Sequence, residues 1–74
     1  MSQALTNYRL NRLYSRLDYL KSQDRIFPGH AKRVSHAIGV FAFASQRGRP
    51  EDARRAHQEA RRLLDLNAAD FPPN

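Results

Sequence analysis

Apolar side chains recur at spacings of three and four along most of the chain, and no stretch alternates with the two-residue period of a strand. Leu10, Leu13, Leu17 and Leu20 fall on one narrow stripe when successive residues turn by about 100°, which predicts a first helix over about 3–22. Ser2 and Thr6 are its candidate N-caps. The pattern breaks at Asp24-Arg25-Ile26-Phe27-Pro28-Gly29. Pro28 disfavours helix at Phe27, and Gly29 tolerates unusual dihedrals. Ile26 and Phe27 are expected to plug the end of the core.

A second helix is predicted over about 30–46. Ala31, Val34, Ile38, Phe41 and Ser45 mark one face, with Ala37 and Ala44 beside it. Val40 and Phe43 fall well off that face, so this helix is apolar around more of its circumference and is expected at the centre. Gly48 suits a left-handed C-cap, and Pro50 opens a third helix with Glu51 and Asp52 near the positive end of its dipole. That helix is predicted over about 50–66, with Asn67 as its stop and Ala53, Ala56, Ala60, Leu63 and Leu64 inward. Residues 67–74 read as a short extended tail, because Phe71 is followed by two prolines. The expectation is an all-α, single-domain, small three-helix bundle spanning 1–74.

Length qualifies this picture. A chain of 74 residues buries a smaller share of its surface than a larger domain, and much of its 41% hydrophobic content is alanine. Marginal stability as a monomer follows, relieved by a partner or by a second copy. The leucine row Leu10, Leu13, Leu17 and Leu20 is therefore a candidate homodimer seam as well as a core seam.

Charge points outward. Thirteen basic residues face seven acidic ones, for a net charge of +6, and all but Lys21 and Lys32 of the basic residues are arginine. Arginine makes planar bidentate contacts with carboxylates and phosphates, so an acidic protein surface or a nucleic-acid backbone is the expected kind of partner. A GC-rich coding bias accounts for the same excess without function. On the first helix Arg9, Arg12 and Arg16 lie within about 60° of one another beside the leucine stripe, with Tyr8 and Tyr19 on the adjoining strip. Tyr and Arg concentrate binding energy at interface centres. They also serve as solvated residues at a core boundary. Val40 and Phe43 form a second candidate surface, unless Ile26, Phe27 or Phe71 covers it. On the third helix Arg54, Arg55, Arg61 and Arg62 have acids nearby, Arg54 and Arg61 sharing a side with Asp65 and Arg55 and Arg62 with Glu59. They read as a salt-bridged solvated face, with Glu51–Arg55 as an i,i+4 pair.

The chemistry of catalysis is missing from the pattern. The chain has no cysteine, and His30, His36 and His57 lack the i,i+3 or i,i+4 spacing of helical metal ligands. They are expected at boundary or surface positions. No serine sits in an elbow-like turn and no glycine-rich phosphate loop occurs. The expectation is no enzyme, no catalytic residue, no metal and no cofactor. No apolar run is long enough to span a bilayer and the opening residues lack an apolar signal region, which predicts no membrane association and, by default, a cytoplasmic location.

Two functional readings remain. The first is a non-enzymatic protein-protein interaction module, an inhibitor or adaptor, contacting its partner through Tyr8, Arg9, Arg12, Arg16 and Tyr19, with Val40 and Phe43 as a further patch. In composition (short, cysteine-free, Ala/Arg-rich) the chain resembles accessory proteins of phages and mobile elements, which implies binding and modulation of a host protein. The second reading is a small basic nucleic-acid-binding protein, either non-specific or a divergent helix-turn-helix regulator. Placing Gly48 as the turn glycine leaves Arg54 and His57 at positions that should be apolar. It also sets Glu51 and Asp52 where phosphates would be met, so that alignment is poor.

Overall fold

The computed structural model describes residues 3–70, with side chains described through Leu66. Three helices follow in order: α1 Gln3–Ser22, α2 Pro28–Gln46 and α3 Pro50–Asp70. They form an elongated bundle of 41 × 18 × 16 Å. Among the described residues there is no strand, as the absence of two-residue alternation requires.

The core is built from the predicted rows. Leu13, Leu17 and Leu20 of α1, Val34, Ala37, Ile38, Phe41 and Ala44 of α2, and Ala53, Ala56, Ala60, Leu63 and Leu64 of α3 are buried together with Ile26. Leu10 and Ala31 pack against this cluster at its margin. The leucine row is thus consumed inside the chain, and an intermolecular seam along it would require α1 to leave the bundle. α2 contributes most of the fully enclosed volume through Val34, Ile38 and Phe41, which fits its central position. Its alliance with α3 is the most extensive in the molecule, whereas α1 and α3 meet only sparingly. Small residues explain the first fact: Ala37 and Ala44 oppose a third helix whose inward row is largely alanine, so the two backbones approach closely.

Several details depart from the sequence reading. α2 begins at Pro28, because proline fits the first helical position, where its missing N–H is not needed. Phe27 is its extended N-cap and is 66% exposed, so of the expected pair only Ile26 plugs the core. Thr6 lies inside α1 as a buried residue one turn before Leu10 and is no cap. Ser2 lies outside the described residues. α3 continues to Asp70, three residues past the predicted stop at Asn67, because asparagine lowers helix propensity only mildly. Of the predicted tail, residues 71–74, Phe71 included, lie outside the described residues. Ser45, expected on the core face, is half-buried with its Oγ sheltered and unpartnered.

Both turns end a helix with the same hydrogen-bond motif. After α2, Gly48 takes φ +68°, its N–H bonds the Ser45 carbonyl at 3.3 Å, and the Arg49 N–H bonds that of Ala44 at 3.0 Å. This is the predicted left-handed glycine in a Schellman arrangement. After α1 the same pair runs from Asp24 to Lys21 at 3.1 Å and from Arg25 to Leu20 at 2.9 Å, with Asp24 at φ +54°. Aspartate is among the few non-glycine residues that visit this region readily. His30 then ties the first turn of α2 to α3, its Nε2–H donating to the Leu63 carbonyl at 2.7 Å.

Candidate functional site: the groove between α1 and α3

The sparse α1–α3 contact leaves an open groove of about 290 Å³ lined by Tyr8, Arg9, Arg12, Leu13, Arg16, His57 and Arg61. Position on each helix explains the lining. Arg9, Arg12 and Arg16 flank the buried Leu13–Leu17–Leu20 row on its α3 side. His57 and Arg61, four residues apart, flank the Ala60–Leu64 row on its α1 side. Packing the two rows into one core draws their flanks together. Among the described residues the groove wall is therefore cationic from both helices, and no carboxylate lines it.

Asp65 bounds one end. Its Oδ1 accepts a hydrogen bond from the Arg16 Nη2–H at 2.8 Å, an ion pair between α3 and α1 with both side chains well solvated. Such exposed pairs contribute little to stability. At the other end Arg12 lies over the Tyr8 ring, 5.9 Å from its centroid. Tyr8 and Tyr19 are 59% and 56% exposed, so neither is spent on the core.

His57 reports the field of the groove. Its ring lies 5.1 Å from that of the buried Phe41. Partial burial, and then the positive charges of Arg9 and Arg61, push its pKa below the ordinary 6.5. The neutral imidazole is favoured because a further cation there would face like charge.

The structure thus brings Tyr8, Arg9, Arg12 and Arg16 to one groove. Tyr19 is on the same side of α1 but does not line it. His57, read from the sequence as a boundary residue, and Arg61, read as part of a paired solvated face, are the members that sequence reasoning missed. A signal existed in the i,i+4 spacing of His57, Arg61 and Asp65 along one edge of α3, but which helix that edge meets is not written locally. The expected grouping of Asp65 with Arg54 and Arg61 is replaced by its pair with Arg16. Glu51 meets Arg54 at 3.9 Å instead of Arg55.

Val40 and Phe43 lie elsewhere, in a groove between α2 and α3 of about 450 Å³ shared with Ala44, Arg49, Asp52, Arg55, Ala56 and Glu59. Neither Ile26 nor Phe27 lines it. The Arg47 guanidinium stacks 4.9 Å above the Phe43 ring. The carboxylates there are matched: Asp52 by Arg49 at 3.0 Å and Glu59 by Arg62 at 2.6 Å. The Arg62 bond and charge hold Glu59 below the usual carboxylate range.

Among the described residues no three His, Asp or Glu side chains gather as metal ligands, and no helix is long and apolar enough to cross a membrane. Comparison of the chain with protein-family models, with curated proteins and with solved structures returns no match.

Proposed function

We propose that this protein is a non-enzymatic interaction module that engages an acidic surface of a protein partner through the α1–α3 groove. One observation carries the reading: Arg9, Arg12, Arg16 and Arg61 converge on a single groove that no carboxylate lines among the described residues. Like charges held at close quarters repel, and the cost falls when an external anion enters. Arginine presents a planar fork of donors suited to carboxylates, and the exposed tyrosines beside it supply rigid apolar contact. The groove is open and offers no paired acid and base for proton transfer, which supports a binding role over a catalytic one. Acting in a host cytoplasm as an inhibitor or adaptor is the cellular form of this proposal.

The test is affinity capture from cell extract with the wild-type chain and with an Arg12→Glu, Arg61→Glu variant. The variant is expected to lose the acidic proteins retained by the wild type while keeping its helical circular-dichroism spectrum. Equal recovery by the two chains refutes the groove as the contact surface. Nucleic acid is the rival ligand; retention that disappears after nuclease treatment would assign the groove to phosphates instead.

A further inference from the structure

α1 carries a second seam. Its buried row (Thr6, Leu10, Leu13, Leu17, Leu20) advances by four, three, four and three residues. On the solvent side of Arg9 and Arg16 a parallel row advances by three, four, three and four: Leu5, Tyr8, Arg12, Ser15 and Tyr19. All five are exposed, Leu5 at 40%. The content of this row, not its spacing, sets it apart: Leu5, Tyr8 and Tyr19 are large exposed apolar side chains, and a three-four row carrying such residues is the register in which one helix packs against another. The outer row spans about 21 Å at 1.5 Å per residue, two heptads in length. If Leu5, Tyr8, Arg12, Ser15 and Tyr19 are the a and d positions, Arg9 and Arg16 are the e positions, one residue after each d. The g positions are Ala4, Asn11 and Asp18.

We infer that this outer row docks an α-helix of the partner, acidic along the edge that overhangs the α1–α3 groove. This rests on the groove being the partner site, as proposed above. Flanking e and g charges select the partner in helix pairs. Here one flank is Arg9 and Arg16, reinforced across the groove by Arg61, and the other is neutral to acidic. A complementary helix therefore bears carboxylates on one edge only. Arg16 already shows the geometry, held at 2.8 Å by Asp65, a carboxylate projecting from a neighbouring helix. Asp65 is exposed and can yield to a better-placed acid.

A second copy of the chain does not meet these terms. Antiparallel pairing of two outer rows sets Arg9 and Arg16 against their own counterparts. Parallel pairing sets them against Ala4 and Asn11, with no opposite charge gained. A nucleic-acid duplex does not meet them either, because its phosphates advance by about 3.4 Å per nucleotide along each strand and wind away from the row.

The experiment uses fluorescence anisotropy with the full chain and four labelled probes. The first is a helical peptide with leucine at a and d and glutamate along one flanking edge. The second has the same composition, with the glutamates moved to the outer face. Poly-L-glutamate and an oligodeoxythymidylate complete the set. The edge-acidic peptide is expected to bind at least tenfold more tightly than its rearranged twin. Tyr8→Ser with Tyr19→Ser is expected to remove that preference. Equal binding of the two peptides overturns the inference, as does tighter binding of the oligonucleotide than of the edge-acidic peptide. Equal peptide affinities that both vanish in Arg12→Glu, Arg61→Glu sink the helix register alone. Indifference of every probe to that variant sinks the groove reading with it.

Discussion

The two grooves that flank α3 treat the same kind of residue in opposite ways. Away from α1, arginines stand beside acids of their own helix or turn: Arg49 with Asp52, Arg54 with Glu51, Arg62 with Glu59. Toward α1, Arg9, Arg12 and Arg16 have no acid three or four residues away, since the first acid in the chain is Asp18. Local pairs at i,i+3 spacing form with little chain ordering and leave their face near neutral. The arginines of α1 can be matched only from outside their helix. Asp65 does this for Arg16. Density of arginine is therefore a poor guide to where this molecule binds. The distance from each arginine to its nearest acid discriminates better.

The largest expected effect removes the contrast altogether. Leu64 is fully buried in the helix that walls both grooves. Leu64→Ala is expected to destabilise by about 2–5 kcal/mol, a large part of what a domain this small possesses. Urea denaturation followed by circular dichroism measures it. A loss below 1 kcal/mol would mean that α3 is not the shared wall.

Charge reversal sharpens the contrast when two variants change the net charge by the same amount. Arg12→Glu with Arg61→Glu is expected to weaken poly-L-glutamate binding at least tenfold, or about 1.4 kcal/mol. Arg54→Glu with Arg55→Glu changes the net charge equally on the part of α3 away from α1 and is expected to cost less than about threefold. Comparable losses from the two variants would show that total charge alone governs binding.

The anchor of α3 against the first turn of α2 has a smaller effect. His30→Ala deletes the half-buried bond to the Leu63 carbonyl. A loss of about 1 kcal/mol is expected, within the range for a single hydrogen bond. An unchanged denaturation midpoint would mean that water replaces the imidazole without cost.

The smallest effect concerns pH. The folded state holds the pKa of His57 below 6.5, so the unfolded chain takes up its proton first as the pH falls. Stability from this group is expected to be intact above about pH 7 and to decline as the pH drops below 6.5. His57→Gln flattens that slope. A polyanion in the groove counteracts Arg9 and Arg61, so its binding is expected to raise the pKa of His57, read from the imidazole signals by NMR titration. An unmoved titration on adding poly-L-glutamate would place the anion elsewhere.

Local pattern was enough to identify most of the fold. The rows Leu13–Leu17–Leu20, Val34–Ile38–Phe41 and Ala53–Ala56–Ala60–Leu64 announce buried helical faces because burial follows a fixed period. Gly48 and Pro50 announce a boundary because their backbone preferences are intrinsic. Phe27 misleads because hydrophobicity argues for burial, whereas its place as an extended N-cap before proline turns it outward. Thr6 misleads because a hydroxyl near a helix start reads as a cap. Its position in the three-four row outweighs its chemistry.

For the site, α1 declared its own half, Tyr8 with Arg9, Arg12 and Arg16, since neighbours on one helix are fixed by the turn of 3.6 residues. The other half, His57 and Arg61, was settled only by tertiary packing. So were the pairing of Asp65 with Arg16 and the exclusion of Val40 and Phe43 from the cationic groove. Period determines which residues share a face of one helix. Which faces of two helices meet is decided by how side chains of different size fill the space between them, and here the alanines that draw α3 against α2 leave α1 standing off to form the groove.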